Sequence, residues 1–93
     1  MSELVHLKAL VHGRVQGVYY RAFASHVAKA LSIKGFVRNT TSGKVELEAE
    51  GKKADIDELL LQLKIGPSEA KVAKIDVEWS DYKGLYKSFD VRY

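Results

Sequence analysis

Two stretches of this 93-residue chain carry residues suited to work on an anion. The first is Gly13-Arg14-Val15-Gln16-Gly17-Val18-Tyr19-Tyr20-Arg21, which joins an alternating apolar run to an amphipathic stretch beginning near Tyr20. A loop opening onto a helix start presents unpaired N–H groups and the positive end of the helix dipole, and both suit a phosphate. Glycine lets backbone approach a ligand closely and tolerates positive φ. Arg21 falls in the first helical turn, where the dipole disfavours a cation, and a bound anion removes that conflict. The second stretch, Gly35-Phe36-Val37-Arg38-Asn39, ends in a polar amide. Alone, each has a bland explanation: an ordinary turn, a surface cation, a turn asparagine. Placement decides between the two readings.

The surrounding sequence supplies the elements that would place them. Val5, Leu7, Ala9 and Val11 fall on one face of the run Val5–His12, the period of a half-buried strand. Tyr20, Phe23, Ala24, Val27, Ala28 and Leu31 follow helical spacing, with Arg21 off that stripe. Residues 33–39 read as a second strand and Thr40-Thr41-Ser42-Gly43 as a turn. In the third strand Val45, Leu47 and Ala49 alternate with Glu46, Glu48 and Glu50, read as a solvated face. A second helix buries Ile56, Leu59, Leu60 and Leu63, is acidic at its start, and ends at Lys64 and Gly66-Pro67. Ile75, Val77 and Trp79 mark a fourth strand, and Phe89, Val91 and Tyr93 a short fifth on a sheet edge. The order predicts an α+β, ferredoxin-like βαββαβ sandwich: an antiparallel sheet, two helices on one face, and a short C-terminal fifth strand. Strands one and two then finish at one edge, about 10 Å apart if strand three lies between them. Arg21 and Asn39 fall on one site.

With both stretches in hand, the chain resembles the acylphosphatase family. That family's loop, G-x-V-Q-G-V-x-F-R, is matched by residues 13–21. Its second signature, G-W-V-x-N followed by a turn ending in glycine and V-E, is matched by Gly35-Phe36-Val37-Arg38-Asn39 and then Gly43-Lys44-Val45-Glu46. Tyr20 stands for the usual Phe, Phe36 for the usual Trp, and Ser42 for a common Asp. The resemblance runs from about Leu4 to Tyr93, and a length of 93 residues is enough for a single domain over residues 1–93 and too short for two. The resemblance implies hydrolysis of small-molecule acyl phosphates to a carboxylate and inorganic phosphate. It further implies that the loop backbone and Arg21 bind the phosphate while Asn39 orients the attacking water.

Elementary chemistry agrees with so spare a site. An acyl phosphate expels a carboxylate, whose conjugate acid has a pKa of about 4 to 5, so no proton donor is needed. Phosphoryl transfer depends on positioning and on neutralising charge at the phosphoryl oxygens. Arg21 can grip two oxygens as a planar fork. The backbone amides of Val15, Gln16, Gly17, Val18, Tyr19 and Tyr20 are expected to bind the rest as a nest. Asn39 has a donor and an acceptor but takes up no proton, so it places a water without fully activating it. Hydrolysis without metal, cofactor or covalent intermediate is the expectation.

The remaining residues are read plainly. With 46% hydrophobic and 29% charged residues the chain is of ordinary globular type, and its net charge of +3 is scattered, so neither nucleic acid nor membrane is demanded. No cysteine is present, which excludes disulfides, thiolate metal sites and a thiol nucleophile. No signal-peptide pattern opens the chain and no apolar run approaches a membrane span, so a cytoplasmic location is expected, with a monomer as the default state. His6, His12 and His26 lack metal-ligand spacing, and His12, bordering the loop, reads as a strand-end residue. Gln16 reads as shaping the loop, Arg14 as a solvated cation, and Tyr19 and Tyr20 as packing residues. Two rivals stand beside the hydrolase: a module that only senses an anion, and an RNA-binding module. Lys34-Gly35-Phe36-Val37 begins like an RNA-binding motif, but Arg38-Asn39-Thr40-Thr41 supplies no stacking aromatics.

Overall fold

The crossover order set by the alternating patterns is present in the computed structural model, which describes residues 3–93. Its elements are β1 (Leu4–Arg14), α1 (Tyr20–Ala30), β2 (Lys34–Asn39), β3 (Val45–Lys52), α2 (Lys53–Ile65), β4 (Lys71–Asp81) and β5 (Phe89–Arg92). They form one five-stranded sheet in the order β4-β1-β3-β2-β5. β1 pairs antiparallel with β3 and β4, and β2 pairs antiparallel with β3. β3 therefore separates β1 from β2, and those two run parallel, as a βαβ crossover requires.

The fifth strand corrects one detail of the expectation. β5 pairs parallel with β2, with Gly35 opposite Phe89 and Arg38 opposite Arg92, so the sheet is mixed. Chain direction is the reason: β4 ends at the edge where β2 begins, and residues 82–88 cross to β5 from that side. Parallel pairing then carries Arg92 and Tyr93 toward the edge where β1 and β2 finish. That consequence matters for the site.

The helix-covered face forms the core. Leu7, Ala9 and Val11 of β1 and Val45, Leu47 and Ala49 of β3 meet Ala24 and Ala28 of α1 and Ile56, Leu59 and Leu63 of α2. These are the positions that periods of 2 and 3.6 place on one side. Each fully buried Leu or Ile contributes about 1.5–3 kcal/mol, so this layer fixes where the strand ends lie. β4 is an edge strand, and the helices cover it incompletely: Trp79 stays 38% exposed and packs against Lys53, whose Nζ lies 4.9 Å from the ring centroid.

α1 closes without glycine. Ile33 N–H donates to Ala28 O at 2.9 Å and Ser32 N–H to Lys29 O at 3.1 Å, a Schellman arrangement with Ser32 at φ 57° in the left-handed position. A serine there carries a Cβ penalty that glycine avoids.

The other face is not the solvated one that the glutamate alternation suggested. Glu50 is 3% exposed. The segment 82–88 straps across it, and Glu50 accepts hydrogen bonds from the Lys83 amide at 2.8 Å and the Leu85 amide at 3.0 Å. His6 lies between Glu50 and Glu48, with ring nitrogens 2.9 Å and 3.0 Å from their carboxylate oxygens. Tyr86 donates its hydroxyl to Glu48 at 2.9 Å and stacks on His6. Burial alone pushes the Glu50 carboxyl up, but the bonds from His6 and the two amides outweigh it and hold it below the ordinary carboxylate range. Burial and the Glu48 carboxylate push the Tyr86 hydroxyl up to about 12, keeping it a donor. Phe36, on the same face, is buried beneath the Tyr86 ring and the Arg92 guanidinium, so it offers no platform for a base. No helix among the described residues is long and apolar enough to cross a membrane.

Candidate anion-binding site

The site begins where β1 breaks its register. The pairing with β4 shifts register between His12 and Gly13, and the chain leaves the sheet after Arg14. Gly13 adopts φ 125°, and a Cβ there would sit 2.1 Å from the Lys71 carbonyl oxygen, so only glycine fits. His12 is turned to β4, its Nε2 hydrogen-bonded to Asp76 at 2.8 Å, in keeping with a strand-end role.

Beyond the bulge, Val15 and Val18 bury their side chains in the core and leave the loop backbone outermost. Gly17 at φ 72° and Tyr19 at φ 68° are left-handed, with Val18 between them at ordinary φ. Alternating handedness of this kind points successive amides toward one side, the geometry of an anion nest. Tyr19 is the N-cap of α1; no side chain caps the helix and its first turn holds no acid. The first loop-to-helix bond is Phe23 N–H to Tyr19 O at 3.1 Å, and among the described residues the amides of Gln16, Gly17, Val18 and Tyr19 donate to no carbonyl in the loops. A cluster of free donors at a positive helix end is what a phosphate requires.

Arg21 is held from the C-terminal side. Its Nη1 donates to the Arg92 carbonyl at 3.0 Å, and its guanidinium carbon stands 4.6 Å from the Tyr93 ring centroid. One anchored nitrogen leaves the other donors of the fork for an oxyanion. Asn39 closes β2, paired with Val45 of β3, at the same edge of the sheet. A cavity of about 290 Å³ opens between them. Gly17, Tyr19, Arg21, Ala22 and Asn39 line it, with Val15 and Tyr20 behind and Val91 and Tyr93 completing the far wall.

Several expectations are refined by this geometry. Val15, Gly17, Tyr19, Tyr20, Arg21 and Asn39 share the cavity, whereas Gln16 and Val18 do not line it. Val18 faces the core, and Gln16 reaches away to the β2–β3 turn. Tyr20 is a packing residue: it is 2% exposed and its hydroxyl donates to the Leu63 carbonyl of α2 at 2.7 Å. Burial raises the ionisation of that hydroxyl above its ordinary value, so it remains a donor. Tyr19 corrects its packing assignment, because its left-handed backbone turns the ring outward and leaves it 76% exposed. Arg92 and Tyr93 escaped the sequence reading as site residues; parallel pairing of β5 brings them in, and alternation carries no record of strand direction. Among the described residues no group of three or more His, Cys, Asp or Glu side chains is gathered as a metal site.

Comparison with known proteins bears on the same features. The family model described as Acylphosphatase matches residues 7–91. A protein named acylphosphatase from an Anaeromyxobacter species is 43% identical over 93 residues, covering 100% of both chains. One of the same name from Thermus thermophilus is 47% identical over 85 residues, 91% of this chain and 96% of its own length. The crystal structure of acylphosphatase from Bacillus subtilis superposes with a TM-score of 0.93 at 31% identity, covering 96% of this chain and 99% of that one.

Proposed function

The chain belongs to the acylphosphatase family, and from that premise we propose that it hydrolyses acyl phosphates to a carboxylate and inorganic phosphate. The phosphate group sits in the loop, its oxygens taken by the amides between Val15 and Tyr20. Arg21 grips two of those oxygens, and its charge matches the charge that builds on the phosphoryl group in the transition state. Asn39 places a water for in-line attack on phosphorus. The carboxylate departs without a proton, and the water's proton passes to a phosphate oxygen of the substrate. No covalent intermediate forms.

The observation that carries this reading is the shared cavity: a loop with free amides, a C-terminally anchored arginine and a strand-end asparagine around one hollow. The cavity wall adds support, since the side chains that line it include no carboxylate, imidazole or thiol. Such a wall suits a substrate that carries its own leaving group and its own proton acceptor. We assign the activity to a cytoplasmic monomer acting without metal or cofactor.

The deciding experiment follows hydrolysis of acetyl phosphate or benzoyl phosphate in excess EDTA. Turnover well above background, unchanged by chelator, is the expected result. Activity abolished by EDTA and restored by Mg²⁺ contradicts the metal-free mechanism, and no turnover under any condition favours a module that only binds anions.

A further inference from the structure

Gln16 belongs to the phosphate loop by sequence, yet its side chain points away from the cavity. Its Nε2 lies 2.8 Å from the Thr40 carbonyl oxygen and 2.8 Å from the Lys44 carbonyl oxygen. Both partners are acceptors only, so the amide nitrogen faces them and both of its protons are engaged. These carbonyls belong to the residues that close the base of the β2–β3 turn. Thr40 N–H donates to Lys44 O at 2.9 Å, and Lys44 N–H donates to Thr40 Oγ1 at 3.0 Å. Asn39 immediately precedes Thr40, at the last rung between β2 and β3. The loop beyond Arg14 has left the sheet, so strand pairing no longer sets its distance from that turn. Among the described residues, the two Gln16 bonds are the side-chain hydrogen bonds that join loop residues 15–19 to the turn.

We propose that Gln16 is a positioning residue: by clamping the phosphate loop to the base of the β2–β3 turn, it sets the distance between bound phosphate and Asn39 and thereby governs attack rather than binding. The proposal rests on the function assigned above. Phosphate is held by the loop amides, which move with the loop, and by Arg21 at the start of α1, which is tied to the end of β5 at the Arg92 carbonyl. The water is aimed by Asn39, which moves with the turn. A displacement between these two bodies of about 1 Å costs about 100-fold in rate while leaving each body's own contacts intact.

Gln16→Met keeps the side-chain length and removes both donors. Its kcat on acetyl phosphate is expected to fall about 100-fold, while inhibition by inorganic phosphate stays within about twofold of wild type, because the cradle travels with the loop. A kcat that does not change, or a phosphate affinity that falls in step with kcat, overturns the proposal. A second measurement needs no variant. In the wild-type protein the Gln16 side-chain amide protons are expected to exchange slowly and to keep their NMR positions as inorganic phosphate is added, while the amides of Gly17, Val18 and Tyr19 shift. Gln16 side-chain protons that shift with them make it a phosphate ligand and end the clamp. A wild-type protein that turns over no acyl phosphate removes the functional reading instead, and the phosphate titration still decides the clamp on its own.

Discussion

The loop at residues 13–21 and the His6–Glu50 network on the opposite face are both polar, and they obey opposite rules. In the network every group finds its partner: two amides and an imidazole satisfy Glu50, and a phenol and the same imidazole satisfy Glu48. Among the described residues no buried side-chain nitrogen or oxygen lacks a partner. In the loop the amides of residues 16–19 meet no loop carbonyl among the described residues, and a cation, Arg21, is held at a helix start. Both arrangements sit on a rigid frame, the loop through Val15, Val18 and Gly13, the network through β1 and β3. Satisfied polar groups hold a fold together, whereas unsatisfied ones held in place are ready for a ligand.

That contrast makes substitutions in the two regions fail differently. The largest effect is expected at Arg21. Arg21→Lys keeps the charge but loses the fork, and turnover of acetyl phosphate should fall about 100- to 1,000-fold. The melting temperature should change little, because the side chain is held by a carbonyl and a ring at the surface. Loss of fold in step with loss of rate would erase the distinction between the regions.

Glu50→Leu should do the reverse. Removing the carboxylate strands two amides and the Nδ1 of His6, at a cost of about 3 kcal/mol measurable by urea unfolding. Where the protein stays folded, the rate per active molecule should stay near wild type. The network also gives stability a pH dependence of known sign. Glu50 titrates below its ordinary value, so its contribution is complete above about pH 4.5 and is lost as pH falls through the lowered folded value. Unfolding free energies between about pH 5 and pH 3 should drop more steeply for wild type than for Glu50→Gln, which has no charge there to lose.

The smallest effect tests the frame itself. Ser32→Gly relieves a left-handed residue at the end of α1 and should stabilise the protein by about 0.5–1 kcal/mol without altering turnover.

Much of this organisation was legible in the residues. Period-2 runs at Val5–Val11 and Val45–Ala49 and the stripe from Tyr20 to Leu31 set the elements, and the crossover rule then put Arg21 and Asn39 at one sheet edge. What stayed hidden has a common physical origin. Alternation reports that two faces of a strand differ but not what covers the outer one. Glu46, Glu48 and Glu50 therefore read alike, although the aperiodic segment 82–88 buries Glu50 and leaves Glu46 half-buried. Strand direction is equally silent: nothing in Phe89–Tyr93 announces that parallel pairing with β2 delivers the Arg92 carbonyl to Arg21. Tyr19 escaped because its left-handed backbone, rather than its apolar ring, decides where it points.

The division of labour between loop and turn is tested most directly by phosphate inhibition in two variants measured side by side. Arg21→Lys should raise the inhibition constant of inorganic phosphate about 10- to 100-fold, the loss expected when a bidentate charged contact becomes a point charge. Asn39→Ala should cut turnover yet leave that constant within about twofold of wild type, since Asn39 aims the water and not the phosphate. Equal loss of phosphate affinity in both variants would contradict the account.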